Sequence, residues 1–372
     1  MSELNPTQTS GSRVSKTIEF FGPQWFGSTM GTGAVGVAVA LVAAEFDIAA
    51  LEVVAQFFVA LTAVLTVAYT VPWLSRMWLY PRRVWADLTH PIRGQFFPTM
   101  PITLVVLGLG IARTMSDVVP TAVLDPLLTA LFVLGSAGIF GFGLLVVTVM
   151  FTNDAIGTEH GVFAWYIPPV SHLVIPLLGF ELVAGHLGGT PTGRLVFVVS
   201  TVALGIGTFM FLFFGAIVLF RYAYESLPRE KLAPTFVIGL APTAVLTIAI
   251  AKLAAALQGG AVLGIAAEPV VPLLRLLALG LWGFSAWWFV LTVALVTYYV
   301  SRRTHPFFFT WWAYTFPMGA FALSAGSLGR FLGFAPLSYV LVAVTAALVV
   351  VWTVTAALTG RMILRGDAFV PE

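Results

Sequence analysis

Few residues of this 372-residue chain carry side chains able to do chemistry. His172, in "IPPVSHLVIPLLG", is an ionisable group inside a run apolar enough to lie in a membrane, where such groups are functional candidates. A protonated imidazole binds a carboxylate and carries a proton with it. The other reading is an imidazole bonded to a carbonyl freed by Pro168 or Pro169. Ser28, Thr29 and Thr32, in "WFGSTMGTGAVG", offer hydroxyls either to a pore wall or to backbone carbonyls. Phe316 stands directly before Pro317 in "FFFTWWAYTFPMGAFALSAGS", an aromatic ring where a helix is expected to bend. There is no H-E-x-x-H, no G-x-S-x-G and no carboxylate pair within an apolar run. With no cysteine, thiol nucleophiles, disulfides and thiolate metal sites are excluded. The expectation is a protein that is not an enzyme and uses no metal or cofactor.

The elements that must position these residues are membrane helices. Hydrophobic residues make up 59% of the chain and charged residues 9%; its mean hydropathy is +0.98. Such a chain has lipid, not water, as its main solvent. Runs long enough to span fall at 20–44, 51–74, 95–113, 122–151, 164–185, 194–220, 232–256, 269–300, 307–326 and 336–360. The fold expected is an all-α integral membrane protein with ten transmembrane helices in a domain of residues 20–360. Residues 1–19 are polar, lack the apolar core of a secretory signal, and are expected to be a flexible cytoplasmic tail. Residues 361–372 are expected to be a second cytoplasmic tail. A net charge of +2 gives no reason to expect nucleic acid as a partner.

Orientation follows from the basic residues. With the N-terminus inside, inner segments hold Arg13, Lys16, Arg76, Arg82, Arg83, Arg93, Arg221, Arg229, Lys231, Arg302, Arg303, Arg361 and Arg365, which is 13 of 18. This bias predicts both termini in the cytoplasm of a multi-pass protein of the cell membrane.

The prolines predict a repeat. Pro23, Pro98, Pro101, Pro168, Pro169, Pro176, Pro234, Pro242 and Pro317 fall in odd-numbered spans, whereas Pro72, Pro126, Pro272 and Pro336 lie at the ends of even ones. An internal proline removes a backbone bond and kinks its helix, and freed carbonyls in lipid need partners. Five hairpins, each one kinked and one straight helix, predict a quasi-fivefold bundle with the kinked helices lining a central pore. Gly27 and Gly31 form a small-xxx-small pair suited to close helix approach.

Five motifs then converge: "WFGSTMGTG", "HPIRGQFFPTMPIT", "WYIPPV", "LAPTFVIGLAPTAV" and "WWAYTFPMGAFALS". In this order, over residues 20 to 360, the chain resembles the tellurite-resistance/dicarboxylate transporter family. That family includes plant slow anion channels, fungal malate permeases and sulfite efflux pumps. The resemblance implies five helical hairpins and a homotrimer with one pore per subunit. It also implies a ninth-helix phenylalanine that plugs the pore, here Phe316, with Gly27 and Pro317 beside it. Small anions are the implied partners besides lipid, with a C4-dicarboxylate such as malate as the leading substrate. The alternatives are a proton-coupled carboxylate carrier, for which His172 is the coupling candidate, or a sulfite, chloride or nitrate channel.

The residues bear on anion passage in their own right. The expected pore has almost no full charge along its middle, and cation channels generally use Asp or Glu rings. Broken inner helices offer N–H groups and positive helix ends to an anion. Lys252, near the outer end of the seventh span, is expected to snorkel to the interface.

Overall fold

The computed structural model describes residues 13–260 and 262–370. Among them the helices are α1 (Arg13–Phe20), α2 (Phe26–Phe46), α3 (Ala49–Leu79), α4 (Pro81–Leu88), α5 (Thr99–Thr114), α6 (Thr121–Thr152), α7 (Ile167–Gly185), α8 (Pro191–Tyr224), α9 (Ala241–Gln258), α10 (Ala267–Ser301), α11 (Thr315–Leu332) and α12 (Pro336–Arg365). Most of the expected N-terminal tail, residues 1–12, lies outside the described residues; residues 13–19 belong to α1, which packs on α3. At the other end α12 continues to Arg365, so the C-terminal segment begins later than expected.

The long helices pair as hairpins: α2 with α3, α5 with α6, α7 with α8, α9 with α10, and α11 with α12. In every pair the first helix is short, 16 to 21 residues, and the second long, 30 to 35. The first helices also touch one another in a closed order, α2–α5–α7–α9–α11–α2. Burial follows the same division. The most apolar stretches of the spans containing α2, α5, α7 and α9 are 72 to 94% buried, and those of α3, α6, α8, α10 and α12 only 17 to 39%. Apolar side chains on the second helices therefore face outward, the arrangement lipid requires.

Nine segments among the described residues are long and apolar enough to cross a membrane. The expected ninth span is absent from these nine. Its helix α11 carries Ser324, Ser327, Arg330 and five glycines and alanines between Gly319 and Gly326. Enclosed by α2, α9, α10 and α12, it has little need of lipid-facing side chains.

The prolines act differently from the expectation. Each inner helix opens with a tighter 3-10 stretch: Pro23–Trp25, Arg93–Phe96, Phe163–Tyr166, Glu230–Leu240 and Phe309–Tyr314. Pro98, Pro101, Pro168, Pro169, Pro242 and Pro317 stand at the N-cap or among the first three residues of the α-helices, where a missing N–H costs little, while Pro23 opens its 3-10 stretch. Among the inner prolines Pro176 lies inside α7 and Pro234 inside its 3-10 stretch, and, against the expectation, the outer helices α3, α6 and α10 hold Pro72, Pro126 and Pro272 inside. Phe316 accordingly stays helical as the second residue of α11, so helix register rather than a break directs its ring.

The 3-10 stretches, α1 and α4 share one end of the bundle, here termed basal. The connection there is locked by charge: Asp87 accepts from Arg76 at 2.6 Å and faces Arg93 at 3.1 Å. The Arg76 Nε also donates to the Glu19 carbonyl at 2.8 Å.

Candidate functional site

A cavity of about 650 Å³ enters the bundle from the basal end. All five inner segments contribute to its wall at three-residue spacing: Gly27 and Met30, Thr99 and Ile102, Ile167 and Val170, Thr235, Ile238 and Ala241, and Ala313 and Phe316. Residues three apart share one face of a helix or 3-10 turn, so each segment presents one stripe to a common axis. Phe316 is 9% exposed and Met30 6%, and the neighbouring wall residues Ile102, Val170 and Ile238 are aliphatic. The deep end of the cavity is thus an apolar collar that includes a phenyl ring.

The mouth has the opposite character. His90, Arg93, Arg229 and Lys231 line it, with Asp367 as the acid among the lining residues. The His90 Nδ1 accepts the backbone N–H groups of Ile92 and Arg93, at 3.1 and 3.2 Å, which fixes the turn that presents Arg93. Aromatic rings narrow the opening. Trp25 lies 4.4 Å from Phe309 and stacks on Phe369 at 4.9 Å. Residues 367, 368 and 370 line the cavity as well, so the C-terminal segment folds across its mouth.

Phe316, Pro317 and Gly27 all face this cavity. Gly27 is not a packing contact, however: nothing lies within 4 Å of where its β-carbon would stand. Close approach of α2 to α11 falls instead at Gly31, against Thr315, and at Gly319, against Ala34.

The hydroxyls expected at the pore wall are turned away from it. Ser28 donates to the Trp25 carbonyl at 2.8 Å and meets Tyr69 of α3. Thr29 donates to the Phe26 carbonyl and meets Thr103 of α5 at 2.9 Å. Thr32 donates to the Ser28 carbonyl and accepts from Trp352 Nε1 of α12. In a dry interior each hydroxyl satisfies the nearest carbonyl and ties α2 to a neighbour. His172 is also redirected. Its Nδ1 lies 2.8 Å from the Pro168 carbonyl, its ring packs edge-on to Phe140 at 5.4 Å, and it fills the space over Gly143 of α6. The imidazole bonds a carbonyl in the first turn of its own helix and is 3% exposed. Among the described residues no group of His, Asp or Glu is placed to hold a metal.

Sequence reasoning did not single out Met30, Ile102, Val170 and Ile238, nor the mouth formed by residues 367–370. The prolines were the available signal for the first group, since each cavity-lining pair stands within seven residues of a helix-opening proline.

Residues 20–360 match the family model described as a voltage-dependent anion channel. An uncharacterized transporter of Methanocaldococcus jannaschii is 28% identical across 95% of this chain and 96% of its own. A sulfite efflux pump of Arthroderma benhamiae is 23% identical across 84% of this chain and 83% of its own.

Proposed function

Because this chain belongs to the voltage-dependent anion channel family, we propose that it passes small anions along the axis of α2, α5, α7, α9 and α11, with Phe316 as the plug. The observation that carries this reading is the phenyl ring in the apolar collar at the deep end of a basal cavity whose mouth is lined by basic residues. Arg93, Arg229 and Lys231 raise the local concentration of anions. An apolar constriction stops them by dewetting, since an ion cannot shed its hydration shell without polar partners. A swing of one side chain then opens the path.

The substrate proposed is a small carboxylate or oxyanion. A C4-dicarboxylate such as malate leads; sulfite, which the fungal relatives are named for, is the principal rival. The proton-coupled alternative has less support, since its coupling candidate His172 bonds backbone and packs on α6. On the same reading the hairpins are quasi-fivefold repeats and the protein lies in the cell membrane with both termini cytoplasmic. It assembles as a homotrimer with one pore per copy.

Reconstitution into planar bilayers with unequal malate, sulfite and chloride tests the function. Phe316→Ala is expected to carry a large anion-selective current while the parent protein is nearly silent. Equal currents from the two proteins would remove Phe316 as the plug, and a cation-selective current would overturn the anion reading.

A further inference from the structure

Above the collar the axis changes character. Eleven residues of α-helix make three turns to within about 20° and rise about 16 Å. Eleven residues beyond Met30, Ile102, Val170, Ala241 and Phe316 stand Leu41, Arg113, Glu181, Lys252 and Ser327. Three of these five are charged. Lys252 was expected to snorkel outward; instead its Nζ donates to Glu181 Oε2, joining α9 to α7.

The pair faces the axis and not the lipid. On α9, Thr243 bonds Ser285 of α10, and Ile250 and Ala254 pack with Leu274 and Ala278 of the same helix. At about 100° per residue, Lys252 stands opposite that face. On α7, Leu173 and Phe180 meet Gly207 and Phe197 of α8, and Glu181 lies on the stripe of Ile167 and Val170. Glu181 and Lys252 keep 28% and 21% of their side-chain surfaces exposed, although the apolar stretches of their spans are 89% and 83% buried. Both residues stand where their helices leave the buried interior near the outer ends, Lys252 beside part-exposed Ala251 and Leu253 and Glu181 a turn before exposed Ala184 and Gly185. Arg113 also acts electrostatically on Glu181, as does His186, which itself bonds Asp125 at 2.7 Å. Lys252 and Arg113 thus stand at the same level of the axis as Glu181, while Asp125 is taken up by His186.

We propose that Lys252 and Arg113 form an outer binding station for a small carboxylate or oxyanion, with the Glu181 carboxylate as a tethered occupant that the passing anion displaces. A carboxylate on a flexible stem is chemically the same partner for an ammonium as the anion in transit. It satisfies Lys252 when the station is empty, since an unpaired charge there is costly. The inference rests on the anion-passing function proposed above.

The test measures flux of sulfite and of malate against concentration in liposomes, with Phe316→Ala as the parent. Lys252→Gln is expected to raise the half-saturating concentration about tenfold, the equivalent of about 1.4 kcal/mol. Glu181→Gln is expected to lower it, and Lys252→Arg to keep it near the parent value. Arg113→Gln, at an exposed position that bears no buried pair, is expected to raise it about threefold should Lys252→Gln fail to fold. A pair that only holds α7 to α9 would shift both single variants the same way or leave half-saturation unchanged, and either result overturns the station. A parent that passes no anion overturns the function beneath it instead.

Discussion

Gly31 on α2 and Thr315 on α11 meet with no room for a methyl group between them: a β-carbon on Gly31 would collide with Thr315 Oγ1. Thr315 precedes Phe316 and donates to the Trp312 carbonyl at 2.7 Å, within the turn where 3-10 gives way to α. The position of the phenyl ring is therefore set by α2. One residue along, Thr32 is held by Trp352, which fixes α2 against α12 as well.

Gly31→Ala is expected to push the first turn of α11 aside. Overpacking of this kind costs about 1–3 kcal/mol. Thermal unfolding in detergent should show a lowered midpoint, with raised leak of anions through the displaced collar. Gly27→Ala, with open space at its β-carbon, should leave the midpoint unchanged.

His172→Ala is expected to destabilise without altering the pH dependence of flux. The substitution removes the bond to the Pro168 carbonyl and leaves a hole over Gly143. Together these cost about 2–4 kcal/mol. A pH profile of transport that flattens in this variant would restore His172 as a proton carrier.

Asp87→Ala is expected to be among the most damaging basal substitutions. It leaves Arg76, 3% exposed, without its carboxylate, and breaking a buried pair costs about 3–5 kcal/mol. Arg93, at the cavity mouth, loses the same partner. Folded yield by size exclusion and the flux of the surviving protein measure the two effects.

Acid should loosen the basal turn that leads to Phe316. Burial pushes the His305 imidazole below its ordinary value; its Nε2 meets Tyr314 hydroxyl at 3.0 Å and its ring stacks on Trp311 at 5.1 Å. The folded state thus binds fewer protons here than the unfolded chain. Its stability is fully present above the ordinary imidazole value of about 6.5 and falls as pH drops below it. The unfolding midpoint should decline as pH falls below about 6.5, and His305→Gln should weaken that decline.

Loosening the C-terminal segment should widen the basal mouth. Phe369→Ala removes the stack on Trp25 that holds residues 367–370 across the opening. The chain contains no cysteine, so Met30→Cys gives a single reporter on the cavity wall. Its modification by a water-soluble thiol reagent added on the basal side should quicken in the Phe369→Ala background.

Lipid as the main solvent and nine of the ten expected spans were legible in the sequence. Apolar runs of fixed minimum length answer to bilayer thickness alone, and the clustering of prolines in every second span separated the inner helices from the outer ones. The family motifs pointed to Phe316. Only the tertiary structure decided what the prolines and polar side chains do. Whether a proline kinks a helix or opens one depends on where the 3-10 turn gives way to α, which Phe309–Tyr314 and Pro317 settle together. Ser28, Thr29, Thr32 and His172 read as pore residues because composition places them on an inner helix; their rotation about it depends on packing partners far away in sequence. Lys252 was read as snorkelling to the interface and Glu181, 71 residues away, drew no reading at all. Their meeting on one axis follows from the closure of five helices into a ring, which no single span encodes.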